Sequence, residues 1–157
     1  MKLNLLMGAP GDVRSGYLNV DPLADGGDGR VDCKLDDLSP VVDANECQEI
    51  VALDVVDRFS TAEADAAMSH WLSRLARGGT LAVGCVDVGE VARLFRADLL
   101  SLEDVNTLLH GEQDGPGRFR LCSLTLARLA AALEGKGMKI MSRRVTDCHA
   151  VVVCRRP

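Results

Sequence analysis

The chain has 157 residues, of which 47% are hydrophobic and 26% are charged, and this composition predicts one globular domain spanning residues 1–157. The formal net charge of −5 argues against a nucleic-acid partner bound mainly through its phosphates. No apolar run approaches the roughly 18–20 residues of a membrane span, and no N-terminal stretch reads as a signal peptide. A cytoplasmic location is therefore expected.

The first third of the chain is predicted to consist of short strands and loops. The connection GAPGDVRSG between the first two strands is too short and too rich in Gly and Pro to form a helix. The apolar run QEIVAL is bounded by polar residues, as a buried strand would be. The predicted strands are residues 3–7, 17–20, 31–35 and 48–53.

The clearest helix follows. Ser60 and Glu63 have the spacing of a capping box. An apolar face then repeats at helical spacing, and the predicted helix ends at Gly78 or Gly79, where glycine tolerates the left-handed conformation. The residues of this apolar face are Met68, Trp71, Leu72 and Leu75.

The second half alternates strands and helices, which predicts an α/β fold with a mostly parallel sheet. TLAVGCV is a strong strand, and MKIMSRRV and AVVVCRR are predicted to close the chain as an antiparallel β-hairpin. Ser101 and Asp104 cap one of the helices. The predicted helices are residues 88–97, 102–110 and a segment around 126–133 that Gly135 and Gly137 end.

Cysteine spacing and charge add two expectations. None of the six cysteines forms a CxxC pair, so we predict no metal site and read them as small buried thiols in a reducing compartment. The last nineteen residues carry five bases against Asp147 alone. This basic segment is either a surface for an acidic partner or a phosphate, or a solvated face.

Taken together, the motifs resemble one family. LNLLMG, SGYLNVD, KLDDLS, QEIVALDVVDRF, LARGGTLAV, CVDV and TDCHAVVVCRRP follow one another in the order and spacing of small class I S-adenosylmethionine-dependent methyltransferases. The resemblance covers nearly the whole chain. It implies a Rossmann-like methyltransferase fold with a C-terminal antiparallel hairpin, and S-adenosylmethionine as the cofactor.

The resemblance assigns the first loop and the second strand to this cofactor. Gly8 matches a loop glycine, whereas Leu6 stands where the family has another glycine, because a side chain would fill the cofactor's space. Leu6 either impairs the site or simply packs in the core. Asp21 matches the acid that accepts hydrogen bonds from both ribose hydroxyls. Its alternative role is to cap the turn before Pro22.

The same resemblance places Asp36, Asp37 and Leu38 around adenine. The unshifted alignment puts Lys34 where the family has an acid, and a lysine cannot accept a hydrogen bond from the adenine amine. A shift of one or two residues would give that role to Asp36 instead.

The segment after the fourth strand borders the expected methyl-transfer pocket. Leu53 and Asp54 replace a Ser-His pair of the family, and Asp57 and Arg58 replace a Glu-His pair. Both histidines, whose pKa suits proton transfer near neutrality, are therefore absent. Asp54 is the candidate catalytic base. Its alternative is a surface acid at the start of a helix.

Two functions follow. The first is an S-adenosylmethionine-dependent methyltransferase with a divergent, impaired pocket, acting mainly by positioning an unidentified methyl acceptor. The second is a catalytically inactive methyltransferase-like domain that serves as a structural or protein-interaction module in a larger assembly. Departures from the family concentrate at positions expected to touch cofactor or substrate, which motivates the second function.

Overall fold

Hydrogen bonds join seven strands into one mixed sheet in the order β3-β2-β1-β4-β5-β7-β6. The computed structural model describes residues 1–8 and 12–157. The strands are β1 Lys2–Leu5, β2 Leu18–Val20, β3 Arg30–Val31, β4 Cys47–Ala52, β5 Leu75–Val86, β6 Lys139–Thr146 and β7 His149–Arg155. The helices are α1 Thr61–Arg74, α2 Val88–Arg96, α3 Leu102–His110 and α4 Leu126–Gly135.

Strands β1 to β5 pair in parallel, whereas β7 pairs antiparallel with β5 and β6 antiparallel with β7. The predicted fold class, a mostly parallel sheet with a C-terminal antiparallel hairpin, is confirmed. Asp147 and Cys148 join the hairpin with φ angles of 49° and 64°. Two central residues at positive φ suit the twist of a two-residue hairpin.

Helix α1 begins as the sequence predicts. The Ser60 hydroxyl accepts a hydrogen bond from Glu63 N, and the Glu63 carboxylate accepts one from Ser60 N. The predicted end at Gly78 or Gly79 is wrong, because α1 ends at Arg74 and β5 begins at once. Gly79 instead permits a close approach of strands, since a Cβ there would lie 2.9 Å from the carbonyl oxygens of Ala76 and Cys47.

Helices α1 and α4 cover the same face of the sheet. Alternate residues of β5 and β7 on that face are fully buried, including Leu81 and Val152, together with Leu129 and Leu133 of α4. Trp71 of α1 is also fully buried, and its indole N–H donates to Leu35 O at 2.7 Å. This bond satisfies the one polar group of a large buried side chain.

Helices α2 and α3 pack against each other over a small cluster formed by Val86, Val91 and Cys148. Asp87 caps α2 by accepting from Glu90 N at 2.8 Å, and its other carboxylate oxygen accepts from Leu126 N at 2.7 Å. One carboxylate thus fixes the starts of α2 and α4. The capping box predicted for α3 is present, but α3 buries no residue.

The structure also shows the state of the cysteines and the length of the helices. All six cysteines are free, and all but the half-buried Cys122 are buried, as predicted. Within residues 1–8 and 12–157, every helix is too short or too polar to span a bilayer.

Candidate functional site

The carboxyl ends of β1, β2 and β4 bring most of the predicted site residues together. This edge of a parallel sheet, where strand order reverses beside β1, is where open α/β folds place their ligands. Leu6 and Gly8 follow β1, Asp21 follows β2, and Leu53 and Asp54 follow β4. Asp36, Asp37 and Leu38 lie in the irregular segment after β3.

Asp21 is fully buried and already holds three partners within the chain. The backbone N–H of Gly8 donates to both carboxylate oxygens at 3.1 Å, and Leu23 N donates to one of them at 2.9 Å. The guanidinium of Arg30 forms a salt bridge to the other. Charge-assisted bonds of this kind are stronger than neutral ones, so the carboxylate that the sequence assigns to ribose is committed to its own chain.

Arg30 is a site residue that the sequence analysis did not single out. Its side chain, 8% exposed, bridges Asp21 and Asp28. The hydrogen bond from Arg30 lowers the pKa of Asp28. The sequence does show that Arg30 follows a run of Asp and Gly residues, where a charged side chain could find an acidic partner. That this partner is Asp21 follows only from the structure, in which Arg30 begins β3 and β3 pairs in parallel with β2.

Other parts of the chain pack closely on Gly8, beside an open cavity of about 410 Å³ lined by Gly8, Leu23, Arg30 and Pro116. Gly8 has a φ of +69°, and a Cβ on it would lie 3.1 Å from Leu23 Cδ1. Gly117, from the polar loop before α4, packs on the same leucine, since its Cβ would come within 2.7 Å of Leu23 Cδ1 and 3.1 Å of Met7 Cγ. Glycine is therefore needed here for one part of the protein to approach another.

Leu6 is 3% exposed and donates its backbone N–H to Val20 O at 2.8 Å. It lines a cavity of about 280 Å³ at the predicted methyl-transfer pocket. This volume is close to the lower limit of the roughly 300–1,000 Å³ of typical small-molecule sites. The other lining residues are Asn4, Leu5, Asp12, Val13, Arg14, Leu53 and Asp54.

Two buried asparagines hold the loop that borders this cavity. Asn4 Nδ2 donates to Asn19 Oδ1 at 2.8 Å and to Asp12 O at 2.9 Å, and Asn19 Oδ1 accepts from Arg14 N at 2.8 Å. Buried amides bonded on several sides fix the backbone around them. The asparagines stand in LNL and LNV, where the sequence analysis read only strands.

Asp54, the candidate base, is held by two arginines. Its carboxylate accepts from Arg58 Nη2 at 2.9 Å, and Arg120 Nη1 lies 2.6 Å from its other oxygen. Burial opposes ionisation, but the hydrogen bond and charge of Arg120, helped by Arg58, bring the pKa of Asp54 below its ordinary value. A carboxylate with a lowered pKa is a weak acceptor for a proton.

Asp57 connects three separate segments. It accepts from Val86 N at 2.9 Å and from Arg120 Nη1 at 2.9 and 2.8 Å, and its backbone carbonyl accepts from Leu121 N at 2.8 Å. Burial raises the pKa of Asp57, although Arg120 favours its charged form. The acid retained from the family pattern thus ties the 3₁₀ turn Val56–Arg58 to β5 and to the segment before α4.

The residues predicted around adenine differ in their burial and in their hydrogen bonds. Leu38 is fully buried, and its N–H donates to His70 Nε2 at 2.8 Å. Asp37 is exposed and accepts from the hydroxyl of Ser39 and from Ser39 N, the latter at 3.0 Å. The hydroxyl bond first, and the backbone bond with it, lower the pKa of Asp37. Asp36 is exposed. All three residues lie in the turn after β3, and they differ in burial and in hydrogen-bond partners.

The described residues hold no group of three or more His, Cys, Asp or Glu side chains able to bind a metal ion.

Comparison with known proteins gives a likeness in fold. No protein-family profile and no curated protein matches the chain. The solved structures similar to it include 1,6-didemethyltoxoflavin-N1-methyltransferase from Burkholderia thailandensis, with 1,6-didemethyltoxoflavin and S-adenosylhomocysteine bound. That structure has a TM-score of 0.66 and 10% sequence identity, over 99% of this chain and 70% of the other.

Two further structures match 99% of this chain. An O-methyltransferase family protein from Burkholderia thailandensis has a TM-score of 0.61 and 15% identity, and the match covers 50% of it. An S-adenosylmethionine-dependent methyltransferase from Methanosarcina mazei has a TM-score of 0.61 and 13% identity, and the match covers 92% of it. The chain therefore has the Rossmann-like fold of S-adenosylmethionine-dependent methyltransferases, as the sequence resemblance implied.

Proposed function

We propose that this chain is a methyltransferase-like protein whose expected ribose-binding acid is occupied by its own chain, and that it acts as a non-catalytic interaction module. One observation carries the proposal. Asp21, the acid expected to hold the ribose, is fully buried and bonded to Gly8, Leu23 and Arg30. For ribose to bind, the bonds from Gly8 and Leu23 must break and Arg30 must give up its salt bridge to Asp21 while keeping Asp28, and taking donors from a buried acceptor is costly.

The surroundings of Asp21 support the same reading. Leu23 and Gly117 narrow the space beside Gly8, although a cavity of about 410 Å³ remains there. Arg58 donates to Gly117 O at 2.5 Å and also bonds Asp54. The loop over the expected cofactor position is thus fastened to the candidate base. A rigid internal network of this kind serves stability, and fold alone does not supply an activity.

An active methyltransferase is the second candidate. It is favoured by the cavity of about 280 Å³ that remains beside Leu6, Leu53 and Asp54, at the carboxyl ends of the strands where the fold family binds ligands. The similar structures are also methyltransferases. In this reading the cofactor would displace Arg30 from Asp21, and the acceptor would lie beside Asp54.

Calorimetric titration with S-adenosylmethionine separates the two candidates. Wild-type protein is expected to show no saturable binding below about 1 mM, the upper end of common KM values. The Arg30→Ala variant removes the charged partner of the Asp21 carboxylate and leaves the bonds from Gly8 and Leu23. It is expected to gain affinity by about tenfold or more, the value of one charge-assisted hydrogen bond. Micromolar binding by the wild-type protein, or turnover of any methyl acceptor, would overturn the proposal.

A further inference from the structure

The sheet has one face that no described helix covers. Helices α1 and α4 share the opposite face, where residues of both helices line one cavity. Lys136, directly after α4, also donates to Ser69 of α1 at 2.8 Å. In the described residues, the connections from β1 to β2 and from β2 to β3 contain no α-helix. We use "open face" for the side of β5, β7 and β6 that lies away from α1 and α4.

Strand register identifies the side chains of the open face. Ala82 of β5 is opposite Val153 of β7, which is opposite Ser142 of β6. Gly84, Val151 and Arg144 form the next row along the strands. Directly paired residues share a face of a sheet, so these rows lie on one surface, while the fully buried Leu81 and Val152 lie on the other.

The open face is apolar at its centre. Ala82, Val151 and Val153 are half-buried, in contrast to the fully buried residues between them. Residues 150–154, AVVVC, are apolar on both faces, a pattern typical of strands covered on both sides, whereas a strand with one wet face alternates with polar residues. The sequence of β7 is therefore suited to a cover that the described chain does not supply.

The rim of the open face is basic. Arg144 projects from the row of Val151, and Lys139 and Arg155 pair with each other one row beyond Val153. All three are exposed, and none has a salt-bridge partner among the acids of the described residues, whose ion pairs involve other cations. An apolar strip with three unpaired cations fits an acidic, amphipathic partner.

We infer that the open face binds an acidic amphipathic helix of a partner protein, with apolar residues on Ala82, Val151 and Val153 and acids against Lys139, Arg144 and Arg155. Helices are what covers the faces of doubly wound sheets. β7 has 7 residues and so spans about 23 Å, the length of about 15 helical residues. A second copy placed face to face would bring like charges together, which disfavours a symmetric dimer.

The open face adjoins the candidate site only at Gly84, where Leu53 packs against it. The inference rests on the proposed function in naming a partner for the interaction module, but its test does not require the cofactor site. Its test uses two synthetic helical peptides of about 16 residues, identical in a leucine stripe and flanked by Glu in one and by Lys in the other. Fluorescence anisotropy is expected to show at least about tenfold tighter binding of the Glu peptide. Equal affinities, or no binding of either below about 1 mM, would overturn the inference.

Adjacent residues of β6 provide matched variants. Arg144→Glu reverses a charge on the open face and is expected to weaken the Glu peptide by about tenfold and to improve the Lys peptide. Arg143→Glu makes the same change on the opposite face, since Arg143 pairs with Val152, and should alter neither affinity by more than about twofold. Equal effects of the two variants would contradict the assignment.

Sedimentation equilibrium tests the alternative that a second copy of this chain binds the open face. The wild-type chain is expected to be monomeric at the concentrations used for anisotropy. A dimer that Arg144→Glu dissociates and Arg143→Glu leaves intact would assign the open face to a second copy and overturn the partner helix. Circular dichroism of each variant confirms folding, which is expected because both arginines are exposed.

Discussion

Replacing Asp21 with alanine should destabilise the protein far more than loss of a ligand-binding residue would. Asp21 is fully buried, the Arg30 side chain is only 8% exposed, and two backbone N–H groups, Gly8 and Leu23, also depend on the carboxylate. Arg30 keeps its salt bridge to Asp28, so the cost comes from the donors that lose a buried, charged acceptor, at about 1–3 kcal/mol for each. A total loss of about 3 kcal/mol would lower the midpoint of thermal unfolding by roughly 6–12 °C for a domain of this size.

Urea unfolding of Asp21→Ala, Arg30→Ala and the double variant measures this cost directly. The double variant is expected to lose less stability than the sum of the single variants, with a coupling of about 1–3 kcal/mol, because the two side chains contact each other. A cofactor acid facing an open pocket would change stability by under about 1 kcal/mol. A value that small for Asp21→Ala, or no coupling with Arg30, would refute the internal role of Asp21.

Three further predictions concern other parts of the chain. Arg120 and Arg58 lower the pKa of Asp54 despite its burial. The charged carboxylate of Asp54 therefore stabilises the folded protein at pH values above its unfolded pKa of about 3.9. This stabilisation is lost as the pH falls through the lower pKa that Asp54 has in the folded protein. Asp54→Asn should therefore flatten the acid limb of the stability curve, as acid titration followed by circular dichroism would show, and an unchanged limb would count against the Arg120 contact. Burial raises the pKa of Cys47 to about 11. Iodoacetamide at pH 8 should therefore leave Cys47 unmodified in the native protein and modify it in urea, as peptide mass spectrometry would detect. Labelling of Cys47 in the native protein would contradict its burial. Ser60→Ala removes the cap of α1 and should cost about 1 kcal/mol in urea unfolding, whereas Ser15→Ala, at an exposed loop position, serves as the neutral control.

Much of the fold could be predicted because its signals are local. The capping boxes at Ser60 and Ser101 involve residues three positions apart, and both are present. The hairpin followed from two apolar runs and a short polar gap. The end of α1 could not be predicted in this way, because Gly79 permits the close contact of β5 with β4 and Gly78 donates to Arg156 O, and both contacts are tertiary.

The site was harder to predict for the same reason. The sequence placed Leu6, Gly8 and Asp21 in one region, and the parallel order of β1 and β2 brings them together. Their partners lie far along the chain. Arg120 reaches Asp57 across 63 positions, and no periodic or spacing rule connects such residues. Whether Asp21 faces a ligand or its own chain depends on where Arg30 lies, and that is a property of the folded sheet.

The role of the predicted adenine residues also depends on tertiary contacts. Leu38 has a sequence position compatible with a ligand, yet it is fully buried and bonded through its backbone to His70 of α1. The assignment of Asp36, Asp37 and Leu38 to adenine stays a prediction. Exchanging Asp36, which is exposed, would be the least disruptive way to examine it.

The most direct test of the central claim is the stability of the wild-type protein in urea with and without S-adenosylmethionine. A ligand that binds the native state with a Kd a hundredfold below its concentration raises the free energy of unfolding by about 2.7 kcal/mol. If Asp21 is occupied by its own chain and the cofactor does not bind, S-adenosylmethionine at about 1 mM should leave the urea midpoint of unfolding unchanged. An increase approaching 2.7 kcal/mol, indicating a Kd of about 10 µM, would contradict the account and restore the chain as a cofactor-binding methyltransferase.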